Sequence, residues 1–164
     1  MKKIVCAAMT VLLLAGVAYA AEKFAYVDLS RIFSEYGKTK DYDKTLGDKE
    51  SFYTAERDKK VSEVKQFQDK MNLLSEKEKE AKKADLETKV KTLQDFDRQK
   101  QADLRKEQDE KMKEILKDIE EATKKYSEKE GFTLVFNDRV LVYQNKSLDI
   151  TDKILEILNK EYKK

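Results

Sequence analysis

The chain has 164 residues, of which 35 are Lys or Arg and 33 are Asp or Glu, with four glycines, one cysteine and no histidine, proline or tryptophan. Without histidine it lacks an imidazole base, a His-activated nucleophile and a His metal ligand, and four glycines are too few for a glycine-rich phosphate-binding loop. The charged fraction is 41%, against about 25% in ordinary globular domains, which indicates a helix-rich chain of the A/E/K/L/R type.

The first twenty residues have the pattern of a secretory signal peptide. Two lysines precede an uncharged apolar run over residues 4–17, and residues 18–20 (Ala-Tyr-Ala) place small side chains at the positions that a signal peptidase reads. About 14 apolar residues are too few to span a bilayer as a helix. We therefore predict a cleaved signal peptide over residues 1–20 and export to the periplasm.

Removal of that segment changes the charge balance. It takes away Lys2, Lys3 and Cys6, so the formal net charge falls from +2 to zero and no thiol remains. A neutral chain lacks the basic surface that nucleic-acid binding requires. We therefore expect no nucleic-acid partner and no cysteine chemistry in the exported protein.

A short strand and a helix are predicted next. Residues 24–28 (Phe-Ala-Tyr-Val-Asp) are rich in aromatic and β-branched side chains, which favour a strand. Asp28 or Ser30 can cap the helix that follows, because a side-chain oxygen there accepts a hydrogen bond from the first turn. Gly37 and Gly47 mark points at which the helix can bend. Apolar residues recur at helical spacing at Leu29, Ile32, Phe33 and Tyr36.

A long helical hairpin is predicted over residues 49–130, where neither glycine nor proline occurs and charges of both signs are interleaved. Ser75 and Glu78 have the spacing of a capping box, and residues 75–80 contain no apolar side chain, so we place the reversal near residues 74–83. The apolar stripe of the outgoing helix consists of Val61, Val64, Phe67, Met71 and Leu74. The returning helix restarts the stripe and continues it in a coiled-coil register, with Leu86, Val90, Leu93, Met112, Ile115, Ile119, Ala122 and Tyr126.

The pattern changes after Gly131, at a position where a left-handed residue commonly ends a helix. Two β-prone segments, residues 132–136 and 139–143, flank an Asn-Asp pair that predicts a two-residue hairpin turn. Asp149 or Thr151 then caps a final helix. The apolar face of that helix consists of Ile150, Ile154, Ile157, Leu158 and Tyr162.

The predicted fold class is α+β and predominantly helical. A small β body of three strands is formed by residues 21–48 and 131–164, and a long antiparallel coiled-coil hairpin by residues 49–130. Three strands and a short helix are too little to bury strands that are apolar on both faces, so we predict self-association that joins the strands of several chains. The predicted intersubunit core consists of Tyr26, Val27, Leu134, Phe136, Leu141 and Tyr143.

Several segments together resemble the Skp/OmpH family of periplasmic chaperones. Residues 24–33 (FAYVDLSRIF), soon after the signal peptide, are similar to the N-terminal segment of that family. Residues 132–143 resemble its closing hairpin, and residues 148–155 (LDITDKIL) resemble its Leu-Asp-(Ile/Leu)-Thr helix start. The charged helical region between them also agrees, so the resemblance extends over residues 22–162.

The resemblance implies a homotrimer. Its body is expected to be a small β-barrel assembled from the strands of three chains, and three helical hairpins are expected to project as tentacles around a cavity. Members of the family hold unfolded outer-membrane proteins in that cavity without ATP and prevent their aggregation. The best-known members are strongly basic, whereas this chain is neutral after loss of the signal peptide, so its charge does not support contact with membrane lipid or lipopolysaccharide.

Client contact is expected to be diffuse, because an unfolded polypeptide offers no fixed geometry and is bound better by many adaptable contacts. We assign client binding, as a hypothesis, to large apolar residues of the hairpin, namely Phe52, Tyr53, Phe67, Met71, Leu73, Leu74, Leu86 and Phe96. The seam between the two helices is assigned instead to Val61, Val64, Met112, Ile115, Ile119 and Tyr126.

Two other classes of function share parts of this pattern. A structural coiled-coil or envelope spacer without client binding has the same helices, but it needs neither the N-terminal strand nor the strand-rich closing segment. An enzyme needs carboxylates in a desolvated cleft with a shifted pKa, whereas chance explains the Asp and Glu pairs at this density of acidic residues. We therefore predict a chaperone that is not an enzyme, with no catalytic residue, cofactor or metal.

Overall fold

The structure, a computed structural model, describes residues 22–163. The predicted signal peptide, residues 1–20, lies outside the described residues. In chain order the regular elements are β1 (Phe24–Val27), α1 (Leu29–Glu35), α2 (Gly37–Asn72), α3 (Glu76–Glu130), β2 (Leu134–Asn137), 3₁₀ turns at Asp138–Val140 and Lys146–Leu148, and α4 (Thr151–Tyr162). The predominantly helical α+β fold with a long helical hairpin is confirmed.

The two strands are parallel neighbours although the whole helical hairpin separates them in sequence. Phe24 pairs with Leu134 and Val27 with Asn137. A backbone hydrogen bond from Thr133 N to the carbonyl of Lys23, 2.7 Å long, extends the pairing by one step. The sheet therefore closes the chain at the base of the hairpin.

The prediction of a third strand over residues 139–143, and of an antiparallel hairpin at the Asn-Asp pair, is wrong for the single chain. Asp138–Val140 form a 3₁₀ turn, and residues 141–145 have no regular secondary structure. Asn137 starts this turn by accepting a hydrogen bond from Arg139 N at 3.4 Å. The physical reason is the lack of a partner surface. The side chains of Val142 and Tyr143 lie in solvent, so this segment gains no packing energy in the protomer by forming a strand.

The core lies where β1, α1, the last turns of α3 and α4 meet. Ile32, Ile115 and Ile154 are at most 1% exposed. The remaining buried members of the cluster are Ala25, Val27, Tyr36, Ile119, Ala122, Ile150, Leu155 and Leu158. Residues 115–122, which were predicted as part of the hairpin, thus belong to the body, because Ile115, Ile119 and Ala122 lie in one core cluster with residues of β1, α1 and α4.

The helix ends follow the local sequence. Asp28 caps α1 by accepting a hydrogen bond from Arg31 N at 2.8 Å. Tyr36 has an extended backbone (φ −65°, ψ 127°) and separates α1 from α2. Gly131 ends α3 in the left-handed conformation, at φ 74°, which glycine adopts without steric cost.

The chain reverses at the far end of the hairpin over residues 73–75, between Asn72 and Glu76. The Glu78 carboxylate accepts hydrogen bonds from the Ser75 hydroxyl at 2.5 Å and from the Ser75 amide at 3.0 Å. These two bonds lower the pKa of Glu78. This capping box starts α3 at Glu76, so the reversal lies at the beginning of the region near residues 74–83.

The helical hairpin projects from the rest of the chain as an arm, which we define as residues 42–107; the other described residues form the body. The 55 residues of α3 correspond to a rod of roughly 80 Å at 1.5 Å per residue. Among residues 22–163, no helix has the length and apolar character needed to cross a membrane. Most side chains of the arm are exposed, so the arm is a helical pair with a largely solvated surface.

Replacing Ile154 by Ala is expected to lower the free energy of unfolding by about 2–5 kcal/mol, because the change leaves a cavity in the core. Ile154 is 0% exposed. Urea unfolding at a fixed protein concentration measures the effect. Leu73→Ala, at the exposed end of the arm, is the control and is expected to change stability by less than about 0.5 kcal/mol. An equal loss in both variants would contradict the core assignment.

Candidate functional site

Aromatic side chains of α2 and α3 meet across the middle of the arm. The ring centroids of Tyr53 and Phe96 are 5.8 Å apart. The Tyr53 hydroxyl donates to the Asp97 carboxylate at 3.2 Å, and Arg57 Nε lies 3.3 Å from the same carboxylate. These contacts fix the two helices side by side at this level.

Lysines cover the aromatic rings of this seam from outside. Lys60 Nζ lies 5.0 Å from the centroid of the Phe96 ring, and Lys89 Nζ lies 5.5 Å from the centroid of Phe67. Cation–π contacts of this kind contribute about 0.5–1 kcal/mol at exposed positions. The aliphatic stems of the lysines also shield the rings from water.

The structure separates the predicted client-binding residues into two groups. Phe52 and Leu73 lie on the outer surface of the arm, 65% and 88% exposed. The other six are half-buried along α2 and α3, namely Tyr53, Phe67, Met71, Leu74, Leu86 and Phe96. The half-buried group is less available to another molecule, so Phe52 and Leu73 become the leading candidates within that prediction.

Phe52 borders a shallow groove between the two helices, with a volume of about 470 Å³. Phe52, Tyr53 and Leu104 form its apolar surface. At one side, Lys49 Nζ lies 2.5 Å from Glu107 Oε1. An apolar side chain of a bound polypeptide would find a partly formed contact surface here.

The residues predicted to form the seam have two different positions. Val64 is half-buried in the arm, and Ile115 and Ile119 are buried in the body core. Val61 and Met112 lie near the edge of the contact, 37% and 40% exposed. Tyr126 stacks on Phe132 instead, with ring centroids 6.2 Å apart, and so belongs to the body.

The predicted intersubunit residues also separate into two groups. Tyr26 and Val27 are already buried within the protomer. Burial and the nearby Asp149 and Asp138 carboxylates raise the pKa of Tyr26. The other four are less covered: Leu134, Phe136 and Tyr143 are exposed, and Leu141 is half-buried.

An apolar groove of about 410 Å³ runs between β2 and α3. Its apolar lining consists of Val27, Leu29, Leu116, Ile119, Phe132, Leu134, Val135 and Phe136. Leu116 was not predicted from the sequence, because it lies beside the stripe that contains Ile115. A large apolar residue directly next to a helical stripe is the sequence signal that could have identified it. Leu134 and Leu116 are about half exposed, so this face of the body is uncovered in the single chain.

An ion-pair network holds α2 against α3 at the base of the arm. Lys38 Nζ lies 2.7 Å from Glu114 Oε1 and 2.6 Å from Asp118 Oδ2. The Tyr36 hydroxyl donates to Asp118 Oδ2 at 3.0 Å, and Lys111 Nζ lies 2.7 Å from Glu114 Oε2. The network links the first turn of α2 to the part of α3 that enters the body.

The network shifts the pKa of its members. Hydrogen bonds from Lys111 and Lys38 lower the pKa of Glu114 to about 2. Burial and the hydrogen bond to Asp118 raise the pKa of Tyr36 to about 12. Burial opposes the charge on Lys38, but hydrogen bonds to Asp118 and Glu114 outweigh it and raise the pKa of this ammonium group. These three groups therefore keep their usual charge at neutral pH.

Within residues 22–163, no group of His, Cys, Asp and Glu side chains has an arrangement that could hold a metal ion. The geometry that the structure does offer consists of apolar surfaces on the arm and on the body. These features define a class of protein in which a long antiparallel helical arm projects from a small α/β body.

The chain belongs to the OmpH family, since the family model described as outer membrane protein (OmpH-like) matches residues 23–158. The chaperone protein Skp of Yersinia enterocolitica is 30% identical over 161 residues, which cover 95% of this chain and 98% of that protein. An OmpH-like outer membrane chaperone from Caulobacter crescentus, known from a crystal structure, has a TM-score of 0.78 at 12% identity and 85% coverage of both chains. The latter similarity concerns the fold.

Glu114 is expected to contribute to stability in a pH-dependent way. Its pKa is lowered from 4.5 to about 2 in the folded chain, so the folded state favours the charged carboxylate. The contribution is present above pH 4.5 and is lost as the pH falls from 4.5 towards 2. Chemical unfolding of wild type and Glu114→Gln across the upper part of this window measures it. The wild type is expected to lose stability more steeply.

Glu110→Gln is the matched control, since Glu110 is an exposed carboxylate of the same helix, 3.9 Å from Lys106. Its stability is expected to follow the wild-type dependence on pH. Parallel curves for wild type and Glu114→Gln would contradict a pH-dependent contribution of the Glu114 carboxylate to stability.

Proposed function

We propose that this protein is an ATP-independent periplasmic holdase, which binds unfolded outer-membrane proteins between its helical arms and prevents their aggregation. Membership in the OmpH family supports this function, and the similar Yersinia protein is a chaperone. The observation that carries it is the exposure of Phe52 and Leu73 on an arm whose other surface is densely charged. Exposed large apolar side chains on a solvated helical pair suit contact with an unfolded chain.

The chemistry of the arm supports binding by many weak contacts. Apolar side chains such as Phe52 bind apolar segments of a client, and the interleaved charges around them keep the arm solvated. Met71, half-buried beside the far end of the arm, has a flexible thioether side chain that adapts to different partners. No bond is made or broken in this mechanism, so neither a catalytic residue nor a nucleotide is needed.

Self-association through the body is the second part of the proposal, with a homotrimer as the expected assembly. In the described chain β2 pairs only with β1, so its other edge is open, and open edges favour pairing with another chain. The apolar groove between β2 and α3 is uncovered. A barrel shared between chains would then form from the strands of three protomers. Trimerisation would then place three arms around one cavity.

Light scattering combined with an aggregation assay tests this function. The first measurement gives the mass of the oligomer, and the second asks whether the protein suppresses aggregation of outer-membrane β-barrel proteins diluted from urea without nucleotide. A trimer that suppresses aggregation supports the proposal. An oligomer without this effect would favour the structural spacer, and a monomer would contradict the assembly.

The double substitution Phe52→Ser and Leu73→Ser is expected to weaken client binding. Burying one large apolar side chain contributes about 1.5–3 kcal/mol, and partial burial in a diffuse contact corresponds to a loss of about three- to tenfold in apparent affinity. Fluorescence titration with an unfolded client and turbidity of the diluted client measure the effect.

The matched control is Gln68→Ser with Gln101→Ser, two exposed polar positions of the arm, one on each helix. These changes are expected to leave both readouts unchanged. If the Phe52 and Leu73 double variant binds client as tightly as the control, the arm residues named here are not the client contacts.

Replacing Leu134 by Glu is expected to dissociate the assembly, because it places a charge in an apolar surface that would be buried between chains. Leu134 is 51% exposed in the protomer, so the fold of the single chain should tolerate the change. Sedimentation velocity measures the mass, and circular dichroism verifies the helical content. Gln108→Glu, an added charge on the exposed surface of α3, is the control. A wild-type mass for Leu134→Glu would exclude this face as the interface.

A further inference from the structure

The outgoing helix of the arm begins without a cap of its own. Helix α2 starts at Gly37, and Tyr36 before it provides no side-chain hydrogen bond to the first turn. The first turn also contains no acidic residue. The first amides of a helix have no partner within the helix, so they need acceptors from elsewhere.

The acceptor comes from the last helix of the chain. The amide of Gly37 donates to Asn159 Oδ1 at 2.7 Å, across 122 residues of sequence. Gly37 permits this close approach, because a Cβ atom at this position would lie 3.1 Å from Asn159 Oδ1 and 3.3 Å from Tyr162 Cδ1. The α4 side chain therefore performs the role of an N-cap for α2.

Tyr162 makes a second contact from the same turn of α4. Its hydroxyl donates to Asp41 Oδ2 at 2.7 Å, and its ring meets the Tyr36 ring edge to face at a centroid distance of 5.8 Å. Lys125 Nζ lies 2.5 Å from Glu161 Oε1 and ties this turn to α3. The last turn of α4 thus contacts the break before α2, the first turns of α2, and α3.

These contacts matter because the two helices of the arm are connected to the body in different ways. Helix α3 passes without interruption from the arm into the core, where Ile115 and Ile119 are buried. Helix α2 is separated from α1 by the extended residue Tyr36. The position of α3 is therefore fixed by the core, whereas the base of α2 depends on contacts at its first turns.

We infer that the last turn of α4, residues 159–162, is a latch that fixes the base of α2 and thereby sets the angle between the arm and the body. Lys38, in the first turn of α2, forms ion pairs with Glu114 and Asp118 of α3. Release of the latch would leave the base of α2 held only by these ion pairs and by the seam with α3, so that the base could shift against the body and the arm could bend. This inference concerns the protomer and does not depend on client binding.

Asn159→Ala and Asn159→Asp form the test pair. Alanine removes the acceptor, whereas aspartate retains an oxygen at the same place. Hydrogen exchange of peptides covering residues 37–45 is expected to be about five- to tenfold faster in Asn159→Ala, the size expected from the loss of one cap. Asn159→Asp is expected to restore slow exchange. Lys160→Ala, an exposed change in the same turn, is expected to exchange like the wild type.

The angle of the arm is measured by the distance between spin labels at residues 77 and 153, on a Cys6→Ser chain diluted among unlabelled copies. Position 77 lies near the far end of the arm and position 153 on α4, and both are exposed. The distance distribution is expected to broaden in Asn159→Ala and to stay narrow in Asn159→Asp and Lys160→Ala.

Tyr162→Phe provides an independent variant that keeps the aromatic ring and removes only the hydrogen bond to Asp41. It is expected to accelerate exchange in the same peptides without a change in helical content. If Asn159→Ala unfolds the body, this variant decides the question by the same two readouts. Wild-type exchange and wild-type distances in Tyr162→Phe, or in a folded Asn159→Ala, would overturn the latch.

Discussion

The continuity of α3 is the constraint on which the rest of the structure depends. One uninterrupted helix of 55 residues supplies half of the arm and, through Ile115, Ile119 and Ala122, one wall of the core. Because the same rod belongs to both parts, the arm cannot be detached from the body without breaking helical hydrogen bonds. The parallel pairing of β1 and β2 then closes the chain at the place where this rod ends.

The arm itself is held more weakly than the body. Its seam contains half-buried side chains such as Val64 and Phe67, and ion pairs such as Arg57 with Asp97 lie near the surface, where each contributes little. Isolated helices of this composition gain only small amounts from such pairs. The position of the arm therefore depends on its connection to the body. The core holds α3, and the contacts of Lys38, Asn159 and Tyr162 hold the base of α2.

Local signals in the sequence predicted the helix ends, because a helix end depends on a few neighbouring residues. The spacing of Ser75 and Glu78 predicted the start of α3, and Gly131 predicted its end, since both positions depend on the conformation of a single turn. The third strand could not be judged in this way. Alternating apolar residues over 139–143 indicate only a surface that can pair, and whether a partner exists depends on other segments or other chains.

Local sequence patterns also could not predict which aromatic residues of the arm are exposed. Phe52 and Phe96 are both aromatic residues of the hairpin, yet Phe96 meets Tyr53 across the seam whereas Phe52 faces outward. That distinction requires the register between two helices, which depends on their relative position. The cap on Gly37 comes from Asn159, 122 positions away. No pattern near Gly37 could identify it, because its own neighbours supply no cap.

The exposed apolar side chains of the two parts differ in how they are distributed, and this difference assigns them different roles in the proposed function. On the body, Leu116, Leu134 and Phe136 border one groove, so they form a continuous surface of the kind that another folded chain can cover. On the arm, Phe52 and Leu73 are 21 positions apart on or just beyond one helix, roughly 30 Å at 1.5 Å per residue. Two separate side chains at that distance are too little for an interface between folded proteins. They suit a long flexible polypeptide, which can contact both points because its own residues between them are free to adjust.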